Sequence, residues 1–386
     1  MINRAHNVFR THYPLSSIQQ SEPKNQNRFG QSLIQYPVSN IRYLVSRTQK
    51  PTVCLVFLLL MILSVLASCS PSEVLLSGRT MGTTYSVKIV VEPFQRTDGL
   101  QAKIDKRLDE VNRSMSTYRK DSEISRFNRL RSIDEGFPVS DGFFQVMLTG
   151  QQIYTLSGGA WDATVDPLVN LWGFGRKKRS GGRPGQGEII QVLKMVGFDQ
   201  IRIQDQVLYK THPDVTLDLG SIAKGYGVDQ IAAVVRDNGF KNFLVEIGGE
   251  VFAAGLRVDG TPWRVGVNRP VKDAPGNAVY KVVGLTEKAM ATSGDYRNFI
   301  EIDGKRYSHV IDPRTGFPVS NGVVSASVVA GNCMLADGLA TALMVMGPEN
   351  GLAMIRHLRE VECLIIVMSK DGTLVDYFSE GFAIME

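Results

Sequence analysis

The chain has 386 residues, 43% of them apolar, and a formal net charge of +5. That length supports one large domain or two smaller ones, with a sizeable core in either case. The charge excludes a broad basic face for nucleic acid, because it is concentrated at the start. Residues 1–68 carry seven Lys/Arg (Arg4, Arg10, Lys24, Arg28, Arg42, Arg47, Lys50) against Glu22, a net of +6, which leaves −1 for residues 69–386.

The first fifty residues are polar, rich in Gln, Asn and Ser, and lack periodicity. They read as an over-extended start that lies outside the fold. Residues 53–67, VCLVFLLLMILSVLA, follow Arg47 and Lys50. They fall short of the roughly 20 residues a spanning helix needs and match a secretory signal. The run ends in Leu66-Ala67-Ser68-Cys69, a bacterial lipobox, in which the cysteine is lipidated and becomes the first mature residue. An uncleaved N-terminal anchor is the alternative. The expected organisation is 1–68 extension and signal, 69–75 lipidated spacer, and 76–386 one catalytic domain. Cys333 and Cys363 lie in apolar runs and read as buried free thiols, with a disulfide as the alternative. His212, His309 and His357 are scattered, which argues against a zinc site.

Thr83–Val91 alternates as a strand should. Leu100–Ser116, Phe143–Leu156 and Glu188–Val196 read as helices, with the glycine-rich basic stretch 173–187 as a solvated loop. Ile201–Lys210 reads as a hairpin around Asp205-Gln206. Val215–Leu217 reads as a buried strand before a helix over Ser221–Asn238, which Gly239 stops. Strands follow at Phe243–Ile247, Val251–Gly255, Trp263–Val267, Val279–Leu285, Asn298–Ile302, Lys305–Ser308 and Val323–Val329. Asp303-Gly304 is a hairpin turn. Helices at Leu335–Met346 and Asn350–Arg359 precede strands Glu362–Val367 and Thr373–Phe378. Strands in runs predict an α+β fold, with antiparallel sheets packed against helices.

Five segments carry candidate chemistry. Thr80-Met81-Gly82 offers a soft apolar surface and close backbone approach, or simply a strand entrance. Ser157–Pro167 holds a tight turn whose amides can face a phosphate, or a plain helix stop. Asp218–Asp229, DLGSIAKGYGVD, opens a helix with Lys224 in its first turn. A cation there costs about 0.3–1 kcal/mol unless it meets an anion, so Lys224 is either an anion partner or an exposed lysine. His309 closes a strand before Pro313 and is a general base or a structural histidine. In CMLADGLATALM, Asp337 and Thr341 share a helix face and suit a hard cation; Asp337 as a first-turn acid is the alternative.

In their order along the chain, MGTTYSV, GGAWDATVDPLV, DLGSIAKGYGVD, EIGGEV, SGDYRNF, HVIDPRTG and MLADGLATALM resemble the FAD:protein FMN transferases, formerly named thiamine biosynthesis lipoproteins. The resemblance runs from about Leu76 to the C-terminus. It implies a Mg²⁺-dependent enzyme that binds FAD and moves FMN onto a threonine hydroxyl of a target protein, releasing AMP. By the matched positions, Met81, Tyr118, Ala160, Trp161, Asp162, Asp218, Lys224 and Ile311 contact FAD. Ser221 (through its carbonyl), Asp337 and Thr341 hold the metal, and His309 is the base. Implied acceptors are exported segments of membrane redox complexes. The implied location is the periplasmic side of the inner membrane, through Cys69, with the outer membrane as the alternative. A Mg²⁺-dependent FAD pyrophosphatase and a flavin-binding lipoprotein without activity are the rival readings.

Overall fold

Side chains that alternate between core and solvent make Ser72–Thr80 (β1) and Thr83–Val91 (β2) a long antiparallel pair, Ser72 opposite Val91 and Thr80 opposite Thr83. In the computed structural model, residues 55–57, 59, 70–175, 179, 182–271, 278–295, 299–302 and 304–385 are described. The chain divides into two units, 1–66 and 67–386. Of the first, Leu55, Val56, Phe57 and Leu59 are described, and they are helical. The remainder of the expected signal, and Cys69, lie outside the described residues. Among the described residues no helix is long and apolar enough to cross a membrane.

Six more strands extend the sheet: Phe243–Ile247 (β3), Glu250–Ala254 (β4), Lys288–Gly294 (β5), Val323–Ala330 (β6), Glu362–Met368 (β7) and Leu374–Phe378 (β8). They lie side by side in chain order, and each neighbouring pair is antiparallel. The sheet is thus an up-and-down meander with long insertions between strands. The expected α+β class with antiparallel sheets is what forms.

Among the described residues, 92–242 insert six α-helices: Leu100–Met115 (α1), Glu123–Arg129 (α2), Asp141–Leu156 (α3), Asp166–Leu171 (α4), Gln186–Leu193 (α5) and Ala223–Asp237 (α6). Cys333–Ile355 (α7) follows β6 and bends at Gly347, whose φ of 78° precedes Pro348. One face of the sheet is covered by helices. Leu100, Ile104, Val228, Ile231 and Val235 pack on Val87, Ile89, Phe243 and Val245. Phe143, Val146, Leu339 and Leu343 pack with Ala291, Ala326, Val328 and Ile365. Each fully buried Val, Leu, Ile or Phe among them contributes about 1.5–3 kcal/mol. Val251, Ala253, Met290, Leu364 and Ile366 point to the other face. They meet Trp263, Val267, Val283 and Leu285 of a small sheet built from Trp263–Asn268, Val279–Leu285 and Ile384–Met385.

The structure differs from the sequence reading in instructive places. Ser72–Thr80 is a full strand, so the expected spacer 69–75 already enters the sheet. Lys288–Gly294, unpredicted, is a central strand. Val215 and Leu217 are buried, but the segment joins no sheet. Its pairing comes instead from one side chain, because Asn128 donates to the Leu217 carbonyl (2.8 Å) and accepts from its amide (2.7 Å). The hairpin Ile201–Gln204/Val207–Lys210 turns where expected, with Asp205 and Gln206 both at positive φ. In the hairpin Phe299–Ile302/Lys305–Ser308, Asp303 lies outside the described residues. Cys333 and Cys363 are buried free thiols.

Asn128→Ala leaves both backbone groups of buried Leu217 unpaired. It is expected to lower stability by about 2–3 kcal/mol, read from the urea midpoint, whereas Asn128→Asp should retain the bond from the Leu217 amide and lose less.

Candidate active site

α6 and α7 meet start to start. A carboxylate from each helix holds the first turn of the other. Asp229 of α6 accepts from the amides of Cys333 (2.7 Å) and Met334 (2.8 Å), and Asp337 of α7 accepts from the amide of Gly225 (3.0 Å). Such amides have no partner within their own helix, so an acid there is favoured. The approach is close enough that a Cβ on Gly225 would lie 2.3 Å from the Cys333 carbonyl oxygen. Asp337 is not a helix-start acid of its own helix. Asn332 caps α7 by accepting from the Leu335 amide (2.9 Å), and Asp337 sits a turn further in. The helix begins two residues earlier than the spacing predicts and runs through the bend to Ile355. α6 begins at Ala223.

Lys224 is the cation of this junction. Its ammonium bonds Glu250, the first residue of β4, and lies 3.7 Å from Asp337. Burial works against its charge, but Asp337 and Glu250 outweigh burial and raise its pKa. One lysine faces two buried carboxylates, Glu250 and Asp337, with Asp229 a third acid at the junction. Burial first, then the charge of Asp337, pushes Glu250 up to about 7. Burial also pushes Asp229 up to about 6, against the bonds it accepts from Cys333 and Met334. Glu250 Oε2 is buried and has no hydrogen-bond partner among the described residues.

Lys224, Glu250 and Asp337 floor a cleft of about 730 Å³ at the end of the sheet where β4 begins and β5 ends. Thr341, one turn beyond Asp337, exchanges a hydrogen bond with Ser293 of β5 (3.1 Å). One wall is the turn after α3. There Trp161 is buried and donates its ring N–H to the Ser221 hydroxyl (2.9 Å). Asp162 accepts at Oδ1 from the amide and hydroxyl of Thr164 (2.7 and 2.6 Å) and at Oδ2 from the Phe198 amide (3.0 Å). Burial raises its pKa to about 6. Its carboxylate is therefore committed to holding the wall. Asp218 accepts from the Gly220 amide (2.7 Å), which shapes the turn before α6. Phe174, His309 and Ile311 also line the cleft, with the His309 ring edge-on to Phe174 at 6.3 Å. Buried Asp295 has its carboxyl pushed up by burial, against the pull of Ser308, Arg306 and His309.

The cleft thus brings together Ala160, Trp161, Asp162, Asp218, Ser221, Lys224, His309, Ile311, Asp337 and Thr341. Met81 and Tyr118 do not line it. Met81 is half-buried at the β1–β2 turn, its methyl group near Gly227, and Tyr118 is 84% exposed. Sequence reasoning assigned no role to Glu250, Thr292, Ser293 or Phe174, which also line the cleft. Glu250 had a signal, an acid after two glycines in EIGGEV, but nothing local tied it to Lys224.

Among the described residues no three His, Cys, Asp or Glu side chains converge as a ready-made metal set. Asp337, Thr341 and Ser221 line the same cleft and offer hard oxygens, the Ser221 hydroxyl being already engaged by Trp161. That chemistry suits Mg²⁺, which keeps waters or substrate oxygens in its remaining positions. The surplus of carboxylate over ammonium and the unpartnered Glu250 oxygen fit an added cation too.

A model of the ApbE family matches residues 81–365. A protein of Vibrio cholerae named FAD:protein FMN transferase is 46% identical over 323 residues, covering 83% of this chain and 95% of that one. One of Haemophilus influenzae with the same name is 39% identical, covering 80% and 90%. The solved flavin transferase ApbE from Vibrio cholerae superposes with a TM-score of 0.74 at 44% identity, over 81% of this chain and 98% of that one. The apo flavinyl transferase ApbE of Pseudomonas stutzeri gives 0.72 at 35%, over 81% and 96%.

Gly225→Ala forces the two helix starts apart, because backbone atoms of Cys333 and Met334 stand where the methyl would go. Thermal or urea unfolding should show a loss of about 1–3 kcal/mol or more, and a wild-type midpoint would contradict the close junction.

Proposed function

The chain belongs to the ApbE family, and from that footing we propose how its cleft works. It is an FAD:protein FMN transferase. In our reading the FMN moiety of FAD passes to a threonine hydroxyl of an exported acceptor protein, and AMP leaves. The observation that carries this is the convergence of Ser221 and Lys224, His309, and Asp337 and Thr341, from three separate segments, on one cleft.

Mg²⁺ would be held by Asp337, Thr341 and the Ser221 carbonyl, and when bound it would supply positive charge and a template for phosphate oxygens. The chain's own residues do the rest. The cleft is large enough for a dinucleotide bent across its floor, and its aromatic wall excludes water from one side. Lys224 has three ammonium hydrogens. Glu250 takes one and Asp337 holds the charge nearby, which leaves donor capacity for an anionic oxygen of the pyrophosphate. The acceptor hydroxyl is a poor nucleophile until its proton is removed. His309, which lines the same cleft as Asp337, takes that proton as the new O–P bond forms and the P–O bond to AMP breaks. Asp162 and Asp218 shape the wall and the turn that present these groups. The acceptors are read as subunits of membrane redox complexes. The enzyme is read as tethered through Cys69 on the periplasmic side of the inner membrane.

Incubation with FAD, Mg²⁺ and an exported acceptor domain should add the mass of FMN to one threonine and release AMP. Free FMN beside an unmodified acceptor would favour the pyrophosphatase reading instead. His309→Ala should slow transfer about 10²–10⁴-fold while FAD still binds. Asp337→Asn keeps an acceptor for the Gly225 amide, so it should lose transfer yet unfold near the wild-type midpoint.

A further inference from the structure

The antiparallel register separates the two ends of the sheet. Ser72 pairs with Val91, Phe243 with Ala254, and Lys288 with Ala253, so the start of β1 shares one end with the loops that follow β2 and β4. The other end carries the Thr80–Thr83 turn, the Gly248-Gly249 turn, the start of β4 and the end of β5, where the cleft lies. Cys69 precedes Ser72 by three residues, about 10 Å of extended chain. A lipid on Cys69 therefore tethers the end of the sheet opposite the cleft.

That tethered end is not polar throughout. Phe94, at positive φ in the loop after β2, is 93% exposed. Leu256 and Val258, in the loop after β4, are 39% and 47% exposed. The loops are bound into one surface. The Val90 amide donates to the Asn242 carbonyl (2.9 Å), Gln95 donates to the Gly239 carbonyl (3.3 Å), and the Leu256 amide donates to the Asn242 side chain (3.0 Å). Beside the apolar tips Arg96 pairs with Asp98 and Arg257 with Asp259, and exposed Glu92 and Lys241 carry opposite charges, so the local charges sum to zero.

We propose that this end is a bilayer-docking surface: Phe94, Leu256 and Val258 enter the interface beside the lipidated cysteine, and the sheet stands upright with its cleft turned away from the membrane. An apolar tip set beside a covalent acyl anchor supplies the second contact that a lone chain lacks. Nine residues of β1 at about 3.4 Å each lift the cleft about 30 Å above the headgroups, clear of the bilayer and open to acceptor segments. Because the nearby charges cancel, neutral lipid serves as well as anionic lipid. The proposal rests on the reading that Cys69 is lipidated.

The test uses the full-length lipidated protein in phosphatidylcholine vesicles, with or without added phosphatidylglycerol and with or without brominated acyl chains. Phe94→Trp places a fluorophore at the docking tip. Ser320→Trp places one at an exposed site just before β6, at the cleft end. Trp161, Trp172 and Trp263 are buried and give both variants a common background. Brominated lipid should quench the added emission of F94W but not that of S320W, equally in both lipid mixtures. If the protein floats with the vesicles but F94W is unquenched, or S320W is quenched as strongly, the docking surface is overturned while the anchor stands. Failure to float with vesicles overturns the anchor and the proposal with it.

Discussion

Asp229 and Asp337 each hold the first turn of the other's helix, and the cleft exists because α6 and α7 are locked there start to start. Two positive helix ends brought together would repel through their dipoles, and buried amides would lack partners. The crossed carboxylates answer both problems. They leave a new one, since Glu250 from β4 adds a third acid to a junction that holds a single lysine. The site thus carries excess negative charge as a consequence of how its helices are joined. Mg²⁺ and FAD chemistry in our reading uses that charge: the cation balances the carboxylates, and the phosphates then meet a floor that is no longer repulsive.

The meander decides where this junction can stand. Strands that succeed one another across the sheet send alternate connections to opposite ends. The start of β4 and the end of β5 lie at the cleft end, and α7, which starts past the other end of β6, runs back along β5 to bring Asp337 and Thr341 to the cleft. Gly225 lets the helices touch, and Ser293 of β5 reaches across to Thr341. The long insertion 92–242 supplies the Trp161 wall, and the shorter insertion 295–322 supplies His309 and Ile311. A rigid sheet and two locked helices therefore carry the floor, while inserted loops carry the walls.

Much of this was legible in the sequence, for definable reasons. Alternation in Thr83–Val91 and heptad-like spacing in Leu100–Met115 report single faces, and both elements form. Lys224 in a helix's first turn is anomalous unless an anion is near, and two are. Asp337 was ambiguous because a cap and a ligand ask for the same residue. Its actual partner, Gly225, is 112 positions away, beyond any local pattern. The strand Lys288–Gly294, KAMATSG, was missed because small residues pack in a central strand without declaring a face. Glu250 and Ser293 were missed with it, since their roles depend on the sheet. Asp162 lines the cleft, and the bonds of its carboxylate to Thr164 and Phe198 depend on the fold of the wall.

In our reading the α6–α7 junction is a divalent-cation site built from surplus carboxylate. Calorimetric titration of Mg²⁺ into the free protein tests it most directly, with Asp337→Asn and His309→Ala as companions. The account predicts one bound Mg²⁺ in the wild type and in His309→Ala, and none in Asp337→Asn. Undiminished Mg²⁺ binding by Asp337→Asn would contradict it.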